Sequence, residues 1–301
     1  MIQAFYSKPE GLYEKICAEI HDKFNLMTYW GPFASVKSTQ WICNATCETM
    51  KNLSSGNQDA LLLSYFPQLD YALQKFGPDT PQVKRDFAAF ETEIEKIVSA
   101  AEKYGFQLVI MGDYEINRVS HAVYPNRILL GHGYLKDRTV GGGSYLNLHS
   151  SRAFALVDHQ VAHVYVFDGN VFSEVLELFR KTPGVGRVIL RDECPDMNHP
   201  RCGEIILEAE ENSWFSYHWW DLPEHAPDFA THVDIHNKPG FDPMELFTEW
   251  KPFPKVSLDC GKLGGSHGRS CRVMLGTNFP WHEGVPTDII SVAKSIQKQL
   301  S

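Results

Sequence analysis

Two aspartates and one histidine have the residue types and local settings from which a divalent-metal site is built. Asp70 and Asp113 each follow a short, continuous apolar run, ALLLSYF at 60–66 and FQLVIM at 106–111. Hard and borderline cations need converging carboxylates. His267 lies in the stretch LGGSHGR at 263–269, where glycines on both sides permit positive φ and close approach to a ligand. An imidazole beside carboxylates makes the mixed oxygen and nitrogen set that suits Zn²⁺ or Mn²⁺. Such a centre polarises a phosphoryl oxygen and stabilises the charge that builds during transfer. Against this stand plainer readings: solvated turn aspartates and a glycine-rich turn.

Other groups are weaker candidates. His159 and His163 lie four apart in DHQVAH, the spacing of a metal-binding helix face, but the surroundings read as strand. His236, Lys238 and Asp242 share a loop and would reach an anionic ligand, as would Arg269 beside the glycine-rich turn. Cys43 and Cys47 fall on one helix face and read as two half-buried thiols, because no second pair has matching spacing. The chain has no nucleophile elbow and no Walker loop, and Gly184-Val185-Gly186 is too short to cradle a nucleotide.

Bulk properties narrow the partners. The 301 residues carry a net charge of −9 without a basic block, which argues against a nucleic acid polymer. An anionic substrate would need local compensation from metal ions or a few Arg and Lys. Seven scattered cysteines, an odd number, are not a disulfide framework. No apolar run reaches membrane-spanning length, and the first residues, MIQAFYSKPEGLYEK, lack a signal-peptide core. The expectation is a cytoplasmic, reduced protein that does not engage a membrane. The two glycosylation sequons, at Asn44 and Asn52, are then without meaning.

The elements that must position the candidate residues are legible from periodicity. Leu12, Ile16, Ile20 and Phe24 stripe a helix over 9–25, and a second is expected over 37–51. The runs 60–66 and 106–111 read as buried parallel strands. Between them Thr80 is the expected N-cap and Pro81 the first residue of a long helix ending at Gly105. Strand, helix, strand in this order predicts a right-handed βαβ unit, with Asp70 and Asp113 at the C-terminal strand ends where ligands bind. Strands at 153–157, 162–167, 188–190 and 204–209, with a helix at 171–181, predict a small α+β insertion. WFSYHWW at 214–220 reads as core, and 286–300 as a closing helix. The expected fold is α/β, a mostly parallel sheet flanked by helices. It divides into a core part at 1–119, the insertion at about 120–225, and a core return at 226–301.

Taken in order, LSYFPQLDYALQKFGPD at 63–79, VIMGDYE at 109–115, VDHQVAHVYV at 157–166, DIHNKPGFDPMELF at 234–247 and GSHG at 265–268 resemble the type I phosphodiesterase/nucleotide pyrophosphatase branch of the alkaline phosphatase superfamily. The resemblance covers nearly the whole chain and implies an alkaline-phosphatase-like core. It also implies a divalent metal (zinc, with manganese as the alternative), a small phosphorylated substrate, and hydrolysis of phosphoric esters through a covalent intermediate on a Thr or Ser. Residue by residue, Asp70 matches the first aspartate ligand, Asp113 the aspartate of an Asp-His pair, and His267 the late histidine. Two ligand positions are degenerate: a histidine is expected where Gln74 and Tyr114 stand. The segment carrying the family's nucleophile and its first aspartate has no counterpart here, so no catalytic nucleophile is assigned. The expectations are an incomplete core, a missing N-terminal half or a homo-oligomer sealing the exposed sheet edge, and doubtful catalytic competence. The alternative reading is a non-catalytic binding protein of the same fold.

Overall fold

The computed structural model describes residues 7–29, 33–56, 59–233, 238–269, 271–281 and 284–300. In chain order these form helices α1 (Leu12–Ile20), α2 (Val36–Ser54), α3 (Gln68–Phe76) and α4 (Pro81–Tyr104), strands β1 (Val109–Met111) and β2 (Asn117–Val123), helix α5 (Pro125–Gly131), and strands β3 (Asp137–Val140), β4 (Gly143–Leu146), β5 (Ala153–Asp158) and β6 (Val161–Val166). Helix α6 (Phe172–Arg180) precedes β7 (Val185–Leu190), β8 (Ile205–Ala209) and β9 (Asn212–Phe215). The short strands β10 (Thr248–Glu249), β11 (Lys255–Val256), β12 (Gly265–Ser266) and β13 (Leu275–Thr277) lead to helix α7 (Ile289–Gln299). The chain divides into two compact units, one of residues 1–71, 84–115 and 272–301, the other of residues 72–83 and 116–271. Among the described residues no helix is long and apolar enough to cross a membrane.

The first unit is built on α2 and α4. Their apolar faces enclose Cys43, Met50, Ile97, Ala100 and Ala101, with Leu62, Phe66 and Leu108 packed against them. Cys43 is buried and its Sγ lies 3.1 Å from the Glu93 carbonyl, while Cys47 is half-buried. The expected strand at 60–66 does not form: the segment joins no ladder, and Leu63 is 80% exposed. Only part of this apolar run meets the helices. β1 likewise pairs antiparallel with β13, Ile110 opposite Gly276, and not with a parallel neighbour. The described residues therefore do not form the expected βαβ unit, and Asp70 sits in the first turn of α3 instead of beyond a strand.

The second unit holds the larger core. A four-stranded sheet in the order β5-β6-β8-β7 is antiparallel throughout. This is the β-β-α-β-β pattern of the sequence: a tight turn joins β5 to β6, and β8 pairs with β7 on one side and, across the helical connection, with β6 on the other. Helix α6 lays Val175, Leu176 and Phe179 on it, in one cluster with Val164, Ile205 and Leu207. Trp214, Phe215, Tyr217, Trp219 and Trp220 are buried, so the aromatic run is core as its composition suggested. Among the named strands, β2 and β9 form the sole parallel ladder, so the mostly parallel sheet is not realised in the described residues. Thr80 Oγ1 accepts from the Val83 amide at 3.3 Å, which is the N-cap expected before Pro81.

Phe179 is fully buried at the centre of this cluster. Phe179→Ala removes its contacts and leaves a cavity, so unfolding in urea is expected to require about 3–5 kcal/mol less free energy.

Candidate functional site

In the first unit the two candidate carboxylates act on one pair of tyrosines. The Tyr114 hydroxyl donates to Asp70 Oδ1 at 3.0 Å. Burial, and next the charge of Asp70, push the Tyr114 phenol well above its usual value. It is therefore a protonated donor at neutral pH and not the phenolate a metal would require. Burial also raises the Tyr65 phenol; its hydrogen bond with Tyr114 opposes this, while Asp113 and Asp70 add to it. Both carboxylates are thus felt at Tyr65. Asp113 follows β1 and is exposed, whereas Asp70 is half-buried.

In the second unit the loop around His267 is seated by glycines. A Cβ on Gly264 would lie 2.5 Å from the Gly77 nitrogen, and one on Gly265 would lie 2.4 Å from the Leu73 oxygen. Only glycine allows backbones this close. The Gly264 amide donates to the Gln74 carbonyl at 2.9 Å, and Gln74 itself is buried. The turn joining β5 and β6 meets the same loop: the Gln160 amide donates to the His267 carbonyl at 2.7 Å. His159, at φ 57° in that turn and 5% exposed, packs against His267 with ring centroids 3.7 Å apart and planes tilted by 34°, and stacks on Phe241 at 4.0 Å. The His267 ring is thereby oriented by a second imidazole. Arg269 is half-buried two residues on.

The remaining candidates separate. His163 Nδ1 lies 3.2 Å from the Cys202 Sγ, so the two histidines of DHQVAH have different neighbours, as a strand-like setting implies. His236 lies outside the described residues. Asp242 is buried and accepts from the Lys238 ammonium at 2.7 Å and from the Met244 amide at 3.0 Å; Lys238 also reaches Glu245 at 3.1 Å. Lys238 and Asp242 thus neutralise one another inside the fold. A cluster that periodicity did not single out lies nearby. Cys260 Sγ is 3.5 Å from Ser216 Oγ and 3.6 Å from His218 Nδ1, all buried. The alternation in WFSYHWW could have flagged Ser216 and His218, since they share a face, but nothing in the sequence pointed to Cys260.

The donors available to a metal are of the right chemistry but form a partial set. Among the described residues no group of three or more His, Cys, Asp or Glu side chains is placed to hold an ion.

The buried histidines give the second unit a pH signature. Burial, then Arg127 and Lys238, push His218 down to about 3. Burial, then His267, holds His159 well below its usual value. Between the folded and unfolded values the unfolded chain binds the proton and the folded one does not, so stability is present above about pH 6.5 and lost as pH falls. Each such group contributes a slope of up to about 1.4 kcal/mol per pH unit. Urea midpoints of the wild type are expected to fall from about pH 6.5 downward, and His218→Gln to flatten that fall; an unchanged slope would contradict the burial assigned to His218.

Phosphonoacetate hydrolase from Sinorhizobium meliloti 1021, solved with phosphonoformate, is similar to this chain in fold, with a TM-score of 0.51 and 14% sequence identity over 93% of this chain and 59% of the hydrolase. The chain thus spans less than two thirds of that relative's length. Murine ectonucleotide pyrophosphatase/phosphodiesterase 5 is 16% identical over 57% of this chain and 43% of its own, with a TM-score of 0.43. No curated protein matches. The model of the type I phosphodiesterase/nucleotide pyrophosphatase family matches residues 4–242, a span that includes Asp70 and Asp113 and ends before His267. Since that match takes in most of the sequence, the chain belongs to the type I phosphodiesterase/nucleotide pyrophosphatase family.

Proposed function

We propose that this chain serves a metal-dependent phosphoric ester hydrolase of the phosphodiesterase/nucleotide pyrophosphatase type, acting on a small phosphorylated substrate. Asp70, Asp113 and His267 are the donors that the family resemblance implies for a divalent metal, zinc before manganese, a set that is incomplete among the described residues. The observation that carries the reading is that the chain belongs to this family and that Tyr114, the residue after Asp113, donates to Asp70 at 3.0 Å, so that the two sequence-distant aspartates lie at one place. The bound metal would supply Lewis-acid polarisation of a phosphoryl oxygen. The protein's own part is positional. Tyr114 fixes one oxygen of Asp70 by donating to it, and His159 confines the His267 ring by packing against it with ring centroids 3.7 Å apart. Gln74 and Tyr114 stand at the degenerate ligand positions.

A second reading, a non-catalytic protein that binds a small anion, is favoured by a specific observation. The Tyr114 phenol keeps its proton and occupies an Asp70 oxygen that a metal would otherwise use. Elemental analysis of the purified chain, beside an Asp113→Ala, His267→Ala double variant, separates the two. The hydrolase reading expects about one or more zinc-like ions per chain, lost in the double variant, with metal-stimulated cleavage of an aryl phosphodiester. Absence of metal from both proteins, with no turnover across a panel of diesters after zinc or manganese is added, favours the binding protein.

A further inference from the structure

Cys202 is held against an imidazole by a loop with several anchors. The connection from β7 to β8 is closed at its base by the Arg191 amide, which donates to the Glu204 carbonyl at 3.1 Å. The Arg191 guanidinium spans the loop, donating to the Cys202 carbonyl at 2.9 Å and to Glu204 Oε1 at 3.1 Å. The Tyr165 hydroxyl donates to the Arg201 carbonyl at 2.9 Å. Gly203 lies flush on β6, where a Cβ would fall 2.7 Å from the Val164 nitrogen and oxygen. Residues 201–203 are thus pinned one after another, and the Cys202 thiol is set 3.2 Å from His163 Nδ1. His163 lies opposite Leu156 and Asp158 opposite Val161, so Asp158 and His163 share one face of the hairpin as diagonal neighbours. Thiol, imidazole and carboxylate therefore follow one another across the outer face of the sheet. Cys194 belongs to the same loop, which folds back on itself as the Met197 amide donates to the Cys194 carbonyl at 3.0 Å and the Cys202 amide to the His199 carbonyl at 2.9 Å. Both thiols are reduced and half-exposed.

We propose that Cys202 is a reactive thiol, with His163 as its proton acceptor and Cys194 as its resolving partner, which hydroperoxides convert to a Cys194–Cys202 disulfide. Burial raises the Cys202 thiol, with Arg191 opposing, and burial lowers the His163 imidazole, with Asp158 opposing. The resting pair is therefore neutral, the S–H donating to Nδ1. On attack the thiol proton passes to Nδ1 and the sulfur bonds the terminal oxygen of the hydroperoxide. The O–O bond breaks, and the departing alkoxide takes the proton from His163. Sulfur has then lost two electrons to the peroxide and stands as sulfenic acid. The Cys194 sulfur displaces the hydroxyl, an S–S bond replaces the S–O bond, and the Cys194 proton leaves with the hydroxyl as water.

The test uses the full chain, reduced and then treated with hydrogen peroxide, and reads each thiol by peptide mapping. Cys271 is exposed and serves as a reference within the same molecule. The proposal expects Cys202 to be consumed ahead of Cys271 and recovered as a Cys194–Cys202 disulfide. In Cys194→Ser it stops at a sulfenic acid that dimedone traps. In His163→Gln the Cys202 rate falls by about 100-fold, the low end for loss of a general base, while the Cys271 rate stays unchanged. Oxidation of Cys202 no faster than Cys271, a disulfide between other cysteines, or an unaltered Cys202 rate in His163→Gln overturns it. None of these results depends on metal or on phosphoester hydrolysis.

Discussion

The second unit depends on one contact that carries no side chain: the backbone of 264–265 lying against the backbone of 73–77. Gly264 and Gly265 approach α3 so closely that any Cβ would strike a main-chain atom, and the Gly264 amide closes the contact on the Gln74 carbonyl. The following residues inherit their course from this seat. Ser266 is fully buried, His267 meets the β5–β6 turn, and Gly268 turns away at φ 114°. A histidine on a loop so fixed at both sides differs from one on a free turn. Its ring plane is determined before any ligand arrives, the preorganisation that a metal ligand requires of its supporting shell.

The antiparallel sheet and its aromatic layer supply the rigidity against which that loop is held. The β5–β6 hairpin is anchored on its inner face by Val157, Ala162 and Val164, all buried in the main cluster. Its outer face carries Asp158 and His163 beside Leu156, and its turn carries the buried His159 and Gln160. The same hairpin therefore serves two places, His267 through its turn and Cys202 through β6. The alternation of strand side chains keeps the core commitments of the hairpin separate from its chemistry.

Periodicity revealed the helices and the β-β-α-β-β segment because each buries one regular face. α4 shows this best, with Thr80 and Pro81 marking its start and Val83, Ile94, Ile97 and Ala101 its inner stripe. The run 60–66 misleads because apolar continuity alone does not make a buried strand. Leu62 and Phe66 do pack inward, but Leu61, Leu63 and Tyr65 face solvent, and no local signal distinguishes an apolar residue that finds a cover from one that does not. The chemistry of Asp70, Asp113 and His267 was legible as residue types in glycine- or strand-bounded settings. The Tyr114 proton, the packing of His159 against His267 and the Cys202–His163 pair were not. Each depends on a contact between segments far apart in the chain, and DHQVAH alone could not tell which neighbour either histidine would face.

The ion cluster of Lys238, Asp242 and Glu245 has a consequence for how this family member can change over time. One ammonium sits between two carboxylates, all buried. Replacing the whole cluster with apolar residues of similar volume is often neutral in a protein interior. Each single step toward that end strands a buried charge, at a cost of about 3–5 kcal/mol, against total stabilities of about 5–15 kcal/mol for ordinary domains. Most one-residue paths out of the arrangement therefore pass through a chain too weakly folded to persist. The cluster acts as a ratchet on sequence drift, easily inherited and left only by concerted change.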